Sequence, residues 1–153
     1  MKICLISDIH FCVRGSSPYF IERQRLFFEK IFFPQLEKNK VSTILDLGDT
    51  FEDRKSVNVN GLYHARKMFF DEAEKRNIKI IAILGNHDIF YRNTNEFNSM
   101  DIIESAYSNV HLVREYEEFK FGKKTFGLMS WINNDNLEKN MKIIKETSTA
   151  DYL

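Results

Sequence analysis

Cysteine, proline and glycine are all scarce in this 153-residue chain, and net charge is absent. Two cysteines, Cys4 and Cys12, are too few for the disulfide framework that staples a small secreted domain, and a reducing cytoplasm suits them. With two prolines and six glycines there is no linker-like stretch, low-complexity segment or repeat, so the chain reads as one domain over residues 1–153. Lys plus Arg and Asp plus Glu both number 22, which excludes a chain-wide electrostatic grip on nucleic acid or an anionic membrane. Any such contact needs a local patch. Long apolar runs are missing too, because Ile3-Cys4-Leu5-Ile6 stops at Ser7-Asp8, too soon for a signal segment or a membrane span. What is present, 43% hydrophobic and 29% charged residues with 14 phenylalanines, is enough for a packed core under a charged surface.

Short β-rich runs alternate with longer amphipathic stretches, the pattern of an α/β fold with a mostly parallel sheet. Runs at Lys2–Ser7, Val41–Leu47 and Ile78–Leu84 are almost continuously apolar, as central strands covered on both faces should be. Between the first two, Phe20, Phe27, Ile31 and Leu36, with Phe28 and Phe32, trace an apolar stripe on a helix over residues 20–38 that Pro34 is expected to kink or end. Between the second and third, Leu62, Ala65, Phe69 and Ala73 trace another, closed by Lys75, Arg76 and Asn77. A helix over 96–107 is expected next, then strands near 110–113, 117–121 and 125–131 with a hairpin at Gly122-Lys123-Lys124, then a helix from Asp135 to about Lys145.

Each of the three runs ends in polar residues of the kind that bind metal: Ser7-Asp8-Ile9-His10, Gly48-Asp49-Thr50 and Gly85-Asn86-His87-Asp88. The carboxyl ends of parallel strands share one edge of the sheet, where ligand crevices form, so residues about forty apart in sequence are expected to meet there. Asp8, His10, Asp49, Asn86 and His87 offer oxygen and imidazole donors without thiolate, a set that suits Mn²⁺, Mg²⁺, Fe²⁺ or Zn²⁺. A shared carboxylate can hold two ions roughly 3.5–4 Å apart, the arrangement used for displacement at phosphorus. Alone, Asp-x-His or Gly-Asp is an ordinary turn or cap. Three such motifs in series, each at the end of a buried-type strand, point to phosphoester hydrolysis.

These motifs resemble the first three of the calcineurin-like metallophosphoesterases. The stretch Gly48-Asp-Thr-Phe-Glu-Asp-Arg-Lys55, with Trp131 after an apolar strand, is similar to the SbcD-type nuclease subunits, bacteriophage recombination exonuclease subunits among them. The resemblance implies a layered α-β-β-α sandwich and two divalent ions, Mn²⁺ first and Mg²⁺ second. It implies Asp8 and His10 on one metal, Asp49 bridging, Asn86 on the other, and His87 acting on substrate with Asp88 orienting its ring. It further implies DNA as substrate, cleaved by exonuclease and single-strand endonuclease activity in recombination and repair. The implied partners are an ABC-type, SMC-like ATPase subunit and a second copy of the chain, in the cytoplasm (a host's, if phage-encoded) and with no membrane.

Arg54 and Lys55, and Tyr91 and Arg92, follow the second and third motifs on loops that should flank the cleft, and are candidate DNA contacts. His64 and His111 read as structural, Arg23 and Arg25 as an exposed helix face, and Gly122-Lys123-Lys124-Thr125 as a turn rather than a phosphate loop. The Gly-His and Gly-His-x-His motifs that complete the family's metal site do not occur, which makes the chain the N-terminal part of such a domain, cut before its last strands, or a degenerate homologue. Glu52 stands where the nuclease relatives carry Asp, leaving its role open. The alternatives to a DNA nuclease are a metallophosphatase for small phosphoesters or phosphoproteins, and a non-catalytic docking or dimerisation module.

Overall fold

The computed structural model describes residues 2–147 and 149–153. Four parallel strands, β1 (Cys4–Ile6), β2 (Thr43–Asp46), β3 (Lys79–Ile83) and β4 (Val110–Val113), lie side by side in chain order. Ile44, for example, pairs with Cys4 on one side and Ile80 on the other. β2 is buried at every position, which explains why its sequence shows no alternation. The expected α/β class with a parallel sheet is therefore observed.

The first crossover helix spans residues 18–39 and passes through a wide π turn at Phe28–Phe32, just before Pro34. Pro34 does not end it. A proline lacks the N–H that would bond to the preceding turn, and a locally widened turn accommodates its ring. The buried stripe is also displaced from the expected one: Phe28, Phe32, Phe33 and Leu36 are buried, whereas Phe20, Phe27 and Ile31 are exposed. The helix is apolar around so much of its circumference that spacing alone does not pick the face. The second crossover helix, residues 59–75, buries Ala65, Phe69 and Ala73 as expected and starts at Asn58, whose side chain accepts from the backbone N–H groups of Asn60 and Gly61. Rings from both helices interlock on one face of the sheet, with Phe28 and Phe69 centroids 5.0 Å apart.

The other face is covered by an antiparallel hairpin, β5 (Tyr116–Phe121) and β6 (Lys124–Met129), turned through Gly122 at φ 66°. Leu45, Ile81, Val113 and Leu128 form a second, smaller core between hairpin and sheet. The expected helix over 96–107 shrinks to Met100–Glu104. The backbone ahead of it is already committed: Phe90 N–H donates to the Phe97 carbonyl, Ser99 N–H to that of Asp88, and the Asn98 side chain caps the helix at Asp101 N–H. A final helix occupies residues 137–147. Among the described residues no helix is long and apolar enough to cross a membrane.

Candidate metal centre

The loops leaving β1 and β2 stay zipped together past the strand ends. Asp8 N–H donates to the Gly48 carbonyl at 3.0 Å, His10 N–H to that of Asp49 at 3.0 Å, and Phe11 N–H to that of Thr50 at 2.8 Å. Three side chains are thrown out of this zipper by left-handed backbone: Asp8 at φ 55°, His10 at 49° and Asp49 at 53°. Such geometry costs a non-glycine residue about 1–2 kcal/mol and is maintained only where the surroundings enforce it. The β3 loop joins through two glycines in backbone contact. Gly48 turns at φ 92°, and a Cβ there would lie 2.6 Å from the Gly85 nitrogen, so the motif glycines set how closely the second and third motifs approach.

Asp8, His10 and Asp49 thereby converge, each offering a donor atom within 4.8 Å of the others. His10 Nε2 is 3.7 Å from Asp8 Oδ1, and its buried Nδ1 has the Glu52 carboxylate at 2.9 Å but no aligned hydrogen bond. A carboxylate-imidazole-carboxylate trio with an unsatisfied ring nitrogen fits a divalent cation. The Asp49 carboxylate is fixed by the His87 N–H, donated to its Oδ1 at 2.8 Å. The His87 ring stands edge-on to that of His10, centroids 5.1 Å apart. Asn86 and His87 line a cleft of about 630 Å³ together with Arg54, Arg92 and Trp131.

Asp88 does not hold the His87 ring as expected. Its carboxylate is fully buried and accepts from Phe51 N–H at 3.1 Å and Gly85 N–H at 2.9 Å. The ring instead sets its Nδ1 2.5 Å from the Glu52 carbonyl. A carbonyl only accepts, so Nδ1 carries the proton and Nε2 is left for the cleft. Glu52 therefore touches both histidines, one through its carboxylate and one through its backbone, three residues after Asp49 on the same loop. Burial pushes the Asp88 carboxyl up to about 6. Burial, and then the charge of Asp88, pushes up to about 7 that of Asp46, which accepts from Thr50 Oγ1 at 2.8 Å and from Gly48 N–H. Asp46 escaped the sequence reading; a carboxylate inside the apolar run Ile44-Leu45-Asp46-Leu47 was the signal.

Of the four candidate DNA contacts, Arg54 and Arg92 line the His87 cleft, whereas Lys55 and Tyr91 line a neighbouring groove that shares Arg54. His111 sits on β4 beside Glu117, and His64 on the second crossover helix, both away from the trio, the one three-ligand cluster among the described residues.

The chain matches the family described as calcineurin-like phosphoesterase over residues 1–149. It is similar to exonuclease subunit 1 of Enterobacteria phage T4, with 26% identity over 152 residues, 99% of this chain and 44% of that protein. The chain thus spans less than half the length of that relative. Among solved structures it is similar to Yfce, a phosphoesterase from E. coli (TM-score 0.46, 18% identity, covering 84% of this chain and 57% of that one). It is similar too to a protein of unknown function from Aquifex aeolicus (TM-score 0.44, 18% identity, covering 92% and 70%).

Proposed function

Since the chain belongs to the calcineurin-like phosphoesterase family, we propose that it hydrolyses phosphoesters, and specifically the phosphodiester backbone of DNA. The observation that carries this reading is the meeting of Asp8, His10, Asp49 and His87 at the carboxyl edge of the sheet, beside a cleft with two arginines and no carboxylate in its lining. Asp8, His10 and Asp49 would hold one divalent ion, and Asp49 with Asn86 a second, Mn²⁺ before Mg²⁺. Ions bound there supply Lewis-acid charge that offsets the charge building on the phosphoryl oxygens.

The chain's own groups do the rest. Arg54 and Arg92 draw a phosphate into the cleft. His87, held at Nδ1 by the Glu52 carbonyl, presents Nε2 to it, and when protonated donates from that atom to a phosphoryl or leaving-group oxygen. Asp88 acts one step removed, by fixing the backbone of Gly85 and Phe51 on either side of the site.

The substrate and partners extend the same reading. The phage relative is an exonuclease subunit, which supports a nucleic-acid substrate and an assembly. We assign to that assembly an ABC-type, SMC-like ATPase and a second copy of this chain, acting in the cytoplasm in recombination and repair. Exposed Val59, Tyr63 and Ile102 support a partner on the helical side.

Cleavage of circular single-stranded DNA in Mn²⁺, compared with a chromogenic phosphomonoester, tests the substrate. DNA cleavage without monoester turnover is expected, and the reverse result assigns the chain to small phosphoesters. His87→Ala should lower cleavage by at least about a hundredfold while Mn²⁺ binding by calorimetry is unchanged. Loss of binding as well would remove His87 from its role on substrate.

A further inference from the structure

We propose that Trp131 is a stacking platform for an unpaired nucleobase beside the scissile phosphate, so that the cleft takes single-stranded polynucleotide. This rests on the phosphodiesterase reading above and adds the part of the substrate that the metal centre does not touch.

Trp131 lines the cleft with His87 and is 43% exposed, a large apolar face turned to solvent at the reaction site. Its backbone is fixed from three sides. Its N–H donates to the Leu84 carbonyl at 2.8 Å, tying it to the end of β3, and its carbonyl accepts from Asn95 Nδ2 at 3.1 Å and Asn136 Nδ2 at 3.2 Å. Asn95 is in turn held by Asn133, whose Nδ2 donates to its Oδ1 at 2.9 Å, and both asparagines are buried. A satisfied buried network of this kind fixes the backbone from which the indole emerges into the cleft.

Charge selects the occupant. Arg25, Arg76 and Arg114, on the outer surface, are each paired with two carboxylates. Arg54 and Arg92 have no ion-pair partner among the described residues, and the cleft between them is lined by no carboxylate. A chain of phosphates meets that requirement at either arginine, and the bases between them need an aromatic face. Arg54 also lines the neighbouring groove, where Tyr91 stands edge-on to Phe90 and Phe97, but Glu96 and Asp101 share that wall, so the stretch selective for phosphate is the cleft itself. A small phosphoester would use the arginines and leave Trp131 idle. Every base has a π face, so the contact is tolerant of sequence and demands a single strand.

Trp131 is the chain's single tryptophan, which lets its own fluorescence report the stack. In metal-free buffer, where no hydrolysis occurs, oligothymidylate should quench it saturably, and an abasic strand of the same length should not. By anisotropy of a labelled strand, Trp131→Ala should bind about tenfold more weakly, equivalent to about 1.4 kcal/mol, and Trp131→Phe within about twofold of the parent. Equal quenching by the abasic strand, or unchanged affinity in Trp131→Ala, overturns the proposal. If Trp131→Ala does not fold, the parent's two titrations and Trp131→Phe still decide. The two readings fail separately: stacking without cleavage in Mn²⁺ removes the reading as a DNA hydrolase, and cleavage without base-dependent quenching removes the platform alone.

Discussion

A methyl group at Gly85 would lie 2.2 Å from Asp49 Oδ1 and 2.4 Å from the Asp49 nitrogen, so it cannot be added without displacing the residue expected to bridge the ions. Gly85→Ala should therefore destabilise the fold by about 1–3 kcal/mol, read by urea unfolding, and should weaken Mn²⁺ binding in calorimetry. A second residue-scale expectation follows from Asp46 and Asp88, whose carboxyls hold their protons to about pH 7 and 6, above the unfolded value of 3.8. Across that interval the folded protein binds more protons than the unfolded chain, so these groups contribute most below about pH 4 and their contribution is lost as pH rises towards neutrality. The metal-free melting temperature of Asp46→Asn should accordingly fall less than the parent's between about pH 4 and pH 7. A parallel pair of curves would show that Asp46 titrates normally. Asp8, His10 and Asp49 were legible because their chemistry is in the side chain and their motifs sit at strand ends. Glu52 was not, since half of what it does is done by a carbonyl that every residue has.

Helix ends obey local rules, and here these rules were readable where a single residue carries them. Asn77 closes the second crossover helix at φ 53°, as its type allows, with Ile78 N–H bonded back to the Ala73 carbonyl. Lys40 does the same for the first at φ 54°, with Val41 N–H bonded to the Leu36 carbonyl, although lysine gains nothing from that conformation. Lys40→Gly should raise stability by about 1 kcal/mol, measured as a shift in the urea midpoint at constant slope. Of the four parallel strands, β2 and β3 were legible as central strands from their almost continuously apolar runs. β1, expected to be central on the same ground, lies at the edge of the sheet with Leu5 exposed, because an apolar run does not say whether a neighbour stands on both sides. The helix over 96–107 is shorter than the sequence suggests because Ile102, Ile103 and Tyr107 look periodic, while the tertiary bonds that hold residues 90–99 in a loop, such as Asn95 to Trp131, leave no periodic trace. Likewise nothing in the phenylalanine spacing of the first helix says which side meets the sheet.

At the scale of the molecule, three loops from three strands meet at one edge, and a cation held by Asp8, His10 and Asp49 would tie two of them together. Mn²⁺ at a hundredfold excess over its Kd should stabilise the fold by about 2.7 kcal/mol, seen as a rise in melting temperature that Asp49→Ala abolishes. The α/β alternation announced this convergence. It did not announce that the hairpin would cover the sheet's second face, because Phe119, Phe121 and Phe126 pack there by topology and not by proximity in sequence. The left-handed backbone at Asp8, His10 and Asp49 matters to anyone who wishes to evolve this protein. Glycine at positions 8, 10 or 49 would relieve the same torsional penalty as at position 40, so a library sorted for heat tolerance alone would enrich variants stripped of the proposed metal-holding side chains, and an Mn²⁺-binding readout must sit in every round.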